Sequence, residues 1–341
     1  MSEKSTIQHY SFPAQAIQER MRQVLLTDSP QINSVINYLL QTNGKMLRPR
    51  LVHLTASLHA HNEDVVRDVA VAVELIHLAS LIHDDIIDHS YTRRGKESLN
   101  SMWGNETSVL TGDYLFATAF NLINRHNLPL ILENITETIQ IMCSGEIKQL
   151  TMLYDYNISE EDYYDKTYKK TACLFASSCK VGALASNMSA YEVSILEQYG
   201  LCVGYAFQLI DDILDFTSDA TLLGKTTGND LIQGNITLPV IMALKDLEVG
   251  ISLRSILDQD GITLDSLPQV IKLIEDTDAI TESLRRARVF LQSGLNIIAE
   301  LPESMVQNQL RDLSIYIFND YYRKLNKNRV TEDLECQQLL S

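Results

Sequence analysis

The chain has 341 residues, 45% of them apolar, and a formal net charge of −16. That apolar share supports a sizeable core and excludes a disordered chain. The negative charge argues against non-specific nucleic-acid binding, which needs a positive surface, and weakly against anionic membranes, so an anionic substrate must be held by a local basic cluster or by metal.

The N-terminus, Met1-Ser2-Glu3-Lys4, leads into no apolar signal run. The seven prolines, Pro13, Pro30, Pro49, Pro129, Pro239, Pro268 and Pro302, fall between long stretches that read as helical. Pro49 opens a helix through Leu58. Val66–Asp88 carries apolar residues at helical spacing. The overlapping run Val65–Ile82 is interrupted by Arg67, Asp68, Glu74 and His77, which makes it a buried helix rather than a membrane span. Val193–Phe216 is a second helical stretch, and Thr237 is placed to cap a helix starting near Pro239. Alternating strand patterns with hairpin turns are absent, and Asp260-Gly261 sits in a loop between helices. No linker, charge block or solenoid period divides the chain. The expected fold is all-α, one domain of about ten or more helices over residues 1–341. A motif-bearing core spans about 40–245, C-terminal helices 246–325 and a polar tail 326–341. Cys143, Cys173, Cys179, Cys202 and Cys336 fit neither a zinc site nor a disulfide framework. They read as reduced thiols, mostly core filler, and the expected compartment is the cytoplasm.

Two helical runs close on the same acidic pattern, Asp84-Asp85-Ile86-Ile87-Asp88 and Asp211-Asp212-Ile213-Leu214-Asp215. Residues four apart share a helix face, so Asp84 projects with Asp88 and Asp211 with Asp215, while Asp85 and Asp212 point to one side. Six carboxylates in two clusters repel unless cations lie between them. Mg²⁺ is the natural candidate, because it takes one or two carboxylates and completes its shell with water and substrate phosphates. Two facing clusters would hold a diphosphate through bridging Mg²⁺. Arg93 and Arg94, followed by Gly95, make a compact loop beside the first cluster, and arginine forks match phosphate oxygens.

With these motifs the chain resembles the trans-isoprenyl diphosphate synthases, the all-helical family that elongates allylic diphosphates with isopentenyl diphosphate. Gly44-Lys45-Met46-Leu47-Arg48-Pro49 resembles the family's phosphate-binding segment. Trp103-Gly104-Asn105, Leu110 to Leu115, Gly145-Glu146 with Gln149, and Lys170 to Phe175 resemble further blocks. So do Gln208, Gly224-Lys225, Gly228 to Leu231 and Gly234 to Pro239. The similarity spans roughly residues 40 to 245 in consistent order. It implies a single-domain helical barrel of the isoprenoid synthase type with a central apolar cavity. Asp84 and Asp88 would ligate Mg²⁺ from one side and Asp211 from the other, with Asp85, Asp212 and Asp215 acting directly or through water and two or three ions in each site. Arg93 and Lys170 would hold the allylic diphosphate, with Lys225 adding charge. Lys45, Arg48, His77 and Arg94 would hold isopentenyl diphosphate. Thr171 and Gln208 would lie near the forming carbocation. One position departs from the pattern: the family often has a basic residue after the glycine of the last block, and here it is Asn235. Tyr163, Tyr164 and Tyr168 read as packing residues.

By resemblance, the residues before the first cluster shape the pocket floor. Small Ala79 and Ser80 leave it open, and Ile76 lies one turn deeper, so the expected product is a medium- to long-chain all-trans polyprenyl diphosphate for a quinone side chain. A short-chain geranylgeranyl synthase is the alternative product class. A homodimer is the expected assembly, with a catalytic subunit that needs a small regulatory partner as its alternative. Membrane contact would be transient, at product release. The second intact D-D-x-x-D argues against a terpene cyclase and against a non-catalytic subunit.

Overall fold

A computed structural model describes residues 12–41, 44–93, 95–217, 227–260 and 262–326. Arg94, Gly224, Lys225, Gly261, Cys336 and the tail from residue 327 lie outside them. The protein is 77% helical, which places it in the all-α class.

The chain opens with α1 (Ala14–Leu25), α2 (Pro30–Leu40) and α3 (Leu47–Ala56). Ser29 accepts the amide of Ile32 at the start of α2, where Pro30 takes the first helical position. Helix α3 begins two residues before Pro49, after a left-handed Met46 with φ 49, and stops at Ala56 rather than Leu58. The missing proline N–H thus falls in the first turn, where amides lack helical partners anyway. The long α4 (Glu63–Ile87) starts where the Asn62 side chain accepts the amides of Asp64 and Val65. Glu63 and Asp64 also suit the positive end of the helix dipole. Every residue from Val69 to Ile76 is buried, so α4 is a core helix covered on all sides by neighbours that include α3.

After α4 the chain forms a small hairpin that the sequence pattern did not lead us to expect. Strands β1 (Thr92–Arg93) and β2 (Lys96–Glu97) pair antiparallel, and Gly95 turns between them at φ +74. Helix α5 (Leu99–Arg125) then runs back along α4, kinked at Gly104. It is followed by α6 (Pro129–Thr151) and α7 (Glu160–Thr167), the latter opened by a reciprocal Ser159–Asp162 capping box. A single π-helical turn, Tyr168–Ala172, joins α7 to α8 (Cys173–Ala185), and α9 (Ala190–Thr217) follows. Beyond lie α10 (Asn229–Ile232), α11 (Leu238–Ala243), α12 (Val249–Asp260), α13 (Leu267–Glu275), α14 (Ala279–Ile298) and α15 (Met305–Asn326). Thr237 stands at the N-cap of α11 with extended backbone, but its side chain makes no capping bond and its hydroxyl is buried without a partner. Pro239 in the first turn sets that helix start instead.

Helix α9 ties the layers together. Ile195, Leu196, Tyr199 and Val203 pack with α3, α8 and α15, whereas Leu209, Ile210 and Leu214 pack with residues of α11 to α14. Its glycines permit close approach: a methyl on Gly204 would sit 2.6 Å from Ala172 Cα in the π-helical turn. Among the described residues the cysteines are free. Cys173 and Cys179 are buried and Cys202 partly so, but Cys143 is exposed and does not fill the core. No described helix is long and apolar enough to cross a membrane.

Candidate active site

The end of α4, the π-helical turn, α9 and the segment 230–235 enclose a cavity of about 590 Å³. Asp84, Asp85 and Asp88 line it from α4 and its C-cap, and Asp211 and Asp212 from α9. The two acidic clusters, 127 residues apart from Asp84 to Asp211 (211 − 84), therefore share one space. Arg48, His77, Ser80, Arg93, Lys170, Thr171 and Gln208 also line it, together with apolar Met142, Leu174 and Phe207. Lys45 is exposed and is not among the lining residues. Asp215 stands behind the wall, with Oδ2 accepting the Asp230 amide at 3.2 Å. Ile76 and Ala79 are fully buried in the core around α4 and do not line this cavity; Ser80 does, with its hydroxyl donating to the His77 carbonyl at 2.9 Å.

The six carboxylates are not equivalent. Arg93 donates to both oxygens of buried Asp85 at 2.7 Å each, a bidentate pair that fixes the guanidinium at the cavity. Asp85, expected among the metal-binding carboxylates, thus serves Arg93 with both of its oxygens. Asp212 is engaged likewise: Tyr163 donates to Oδ2 at 2.6 Å and Gln208 to Oδ1 at 2.8 Å. Thr171 in turn donates to Gln208 Oε1 at 2.6 Å, which completes a chain from the π-helical turn to α7. Tyr163, read from the sequence as packing, is fully buried and also positions Asp212.

Burial pushes the Asp84 carboxyl up to about 7, with Glu146 and Asp88 adding to the effect and Lys170 and Arg93 opposing it. Burial, then Asp230, pushes Asp212 up to about 7. The same two causes push Asp215 up to about 8. Such carboxylates ionise reluctantly until a cation joins them. Burial also opposes the charge on Lys170, but Glu146, Asp84 and Asp88 outweigh it and raise its pKa. Lys170 reaches Glu146 at 3.2 Å and stands in the π-helical turn, an irregularity common at functional sites. Gly145 lets α6 approach, since a methyl there would lie 2.5 Å from Lys169 Cβ. Buried Arg48 lies 4.6 Å over the Phe175 ring, which holds its long side chain against the cavity wall.

Residues 29–274 match the family described as Polyprenyl synthetase. The chain belongs to the polyprenyl synthetase family. Its enzymes are prenyltransferases, and so is this chain. Heptaprenyl diphosphate synthase component 2 of Geobacillus stearothermophilus is 36% identical over 302 residues, covering 89% of this chain and 94% of that protein. The crystal structure of heptaprenyl diphosphate synthase from Staphylococcus aureus superposes with a TM-score of 0.85 at 31% identity, covering 90% of this chain and 96% of the other. That of a polyprenyl synthase from Caulobacter crescentus, complexed with calcium and isoprenyl diphosphate, gives 0.83 at 31% identity over 89% and 93%.

Lining residues with no role assigned from the sequence include Lys166, Gln149, Asp230 and Asn235. Asp230 sits in the Gly228–Leu231 block, and left-handed Gly228 and Gly234 bracket it, at φ +75 and +77. That glycine spacing was a visible signal of a built loop. Lys166 carried none, because nothing local ties it to residues some 70 positions away.

Proposed function

We propose that the enzyme joins isopentenyl diphosphate head-to-tail to an allylic diphosphate primer, farnesyl or geranylgeranyl diphosphate, and makes a medium- to long-chain all-trans product for a quinone side chain. The observation that carries this reading is that both aspartate clusters, Arg93 and Lys170 line one cavity. The donors fit Mg²⁺: hard carboxylate oxygens, among which burial raises the Asp84 carboxyl so that it lacks a compensating cation. Asp84, Asp88 and Asp211 would hold it, since Asp85 and Asp212 have both oxygens engaged and Asp215 stands back. When bound, Mg²⁺ would neutralise charge developing on the leaving diphosphate.

Arg93 and Lys170 hold the allylic diphosphate and add fixed positive charge where the leaving group gains electrons. Arg48 and His77, with Lys45 and Arg94 from flanking segments and Lys225 beyond α9, complete the phosphate-binding set. Departure of diphosphate leaves an allylic cation. The Thr171 oxygen lies beside that carbon, held by Gln208, and its dipole tolerates the positive charge. The double bond of isopentenyl diphosphate attacks, and the departing diphosphate takes the proton. Met142, Leu174 and Phe207 keep water from the cation. Ser80, and behind it Ala79 and Ile76, set the room for the growing chain.

The likeness to a protein named component 2 supports a second reading of the assembly, in which this chain is the catalytic subunit and needs a smaller partner. A homodimer is the alternative. Incubation of the purified chain with farnesyl diphosphate, labelled isopentenyl diphosphate and Mg²⁺, followed by product chromatography, tests the activity. Products longer than C20 are expected. Absence of elongation both alone and with a small partner subunit would overturn the function.

A further inference from the structure

Lys166 is a partly buried cation that the reading above does not use. It sits at the end of α7, four residues before Lys170, and its side chain lines the cavity beside Asp212 and Asp230. Its ammonium donates to Asn235 Oδ1 at 2.7 Å and to the Ile236 carbonyl at 2.8 Å, and lies over the Tyr163 ring at 5.5 Å. Both hydrogen-bond acceptors are neutral oxygens. An ammonium has three donors, so one N–H remains for an occupant of the cavity. The two lysines face different carboxylates first: Lys170 faces Glu146, Asp84 and Asp88, and Lys166 faces Asp212 and Asp230, with Glu146 acting on both.

Asn235 makes this placement informative. By resemblance, the family often has a basic side chain at this position, after Gly234. In this chain the position is neutral, and its side-chain oxygen instead receives the amine of Lys166 from a different helix. A charge at residue 166 and a charge at residue 235 would occupy nearly the same place. They would also repel each other, which is why a chain carrying one has reason to leave out the other. The Lys166 ammonium hydrogen-bonds only to neutral oxygens, with Asp212 and Asp230 acting on it as nearby charges, and an anion in the cavity would add a direct charged partner.

We propose that Lys166 is a diphosphate-binding residue, supplying from α7 the positive charge that the segment at Asn235 lacks. This rests on the diphosphate reading of the cavity. Its ligand is the diphosphate group itself, and the shared lining with Asp211 and Asp212 places that contact on the second aspartate wall.

The test is calorimetric titration of the full chain with inorganic diphosphate in the presence of MgCl₂, alongside thermal melting. Lys166→Met should weaken diphosphate binding roughly 10-fold or more, as loss of a charge-assisted contact does. The double variant Lys166→Met with Asn235→Lys should bind within about threefold of the parent, because the charge returns from the other side. Where Lys166→Met does not fold, Lys166→Gln keeps a donor without charge and gives the same contrast. Binding by the neutral variant within twofold of the parent overturns the proposal. So does a double variant as weak as the single one, which would mean that Lys166 only braces the 234–236 backbone. The parent's elongation assay separates this from the function. A parent that elongates while the neutral variant binds diphosphate normally refutes the role of Lys166 alone, and a parent that neither elongates nor binds diphosphate refutes both.

Discussion

Burial and charge make Asp84 and Asp85 different residues although they are adjacent. Asp85 is paired with Arg93, and Asp84 is raised by burial to about 7. Asp84→Ala should lower kcat by roughly 100-fold or more at saturating Mg²⁺, the scale of losing a group that holds transition-state charge; a near-normal rate would remove Asp84 from the metal set. Asp85→Asn should instead act through Arg93, raising KM for the allylic diphosphate more than it lowers kcat, which steady-state kinetics would resolve. The raised pKa values also set a pH dependence. A carboxyl whose folded pKa lies near 7 and whose unfolded pKa is near 3.8 holds its proton more tightly when folded. Its stabilising contribution is complete below the unfolded value and is lost as pH rises toward and through 7. In EDTA the parent should therefore lose thermal stability between about pH 4 and 7 relative to Asp84→Asn, and Mg²⁺ with diphosphate should narrow that gap. Parallel melting curves for the two proteins would contradict the assignment.

At the scale of elements, the site is held by close helix contacts that particular small residues allow. Helix α9 presses its backbone at Gly204 against Ala172, just after Lys170 and Thr171. Gly204→Ala should push α9 away from the π-helical turn, costing about 1–3 kcal/mol of stability and lowering kcat by stretching the Thr171–Gln208 bond; thermal melting and turnover check both. On α4, Ser80 faces the cavity while Ala79 is enclosed by the core. Ser80→Phe should shorten the products while sparing turnover, as chromatography would show, and unchanged length would mean that the chain does not pass this residue. The helical nature of α4 and α9 was readable from their periodicity. The hairpin around Gly95 was not, because two-residue strands carry no alternation to detect. Nor was the π-helical turn, which packs against α6 and α9 and carries no local sequence mark.

At the scale of the whole molecule the two acidic patterns meet across one cavity. Their spacing identified two acidic helix ends, but not that they face one cavity. Tyr163 and Asp212 lie 49 residues apart, and Lys166 and Asn235 lie 69 apart, so neither pair has a local signature. The resemblance implied an apolar cavity, and the cavity combines apolar Met142, Leu174 and Phe207 with charged side chains on the sides that would meet diphosphate. Sedimentation of the purified chain, alone and with a small partner subunit, should reveal a dimer, and its composition decides between the two assemblies.

The sequence by itself determined the all-α class, the two D-D-x-x-D helices and the cationic residues at positions 48, 93 and 170. The first two follow from periodicity and helix spacing and Arg93 from its place beside the first cluster, whereas Arg48 and Lys170 were legible through the resemblance of their segments to the family's. Only the tertiary structure decided which carboxylates are engaged by neighbours, that Tyr163 secures Asp212, and that Lys166 stands where Asn235 has no charge. Those contacts join residues on different elements, and their existence depends on how the helices pack rather than on any stretch of chain alone.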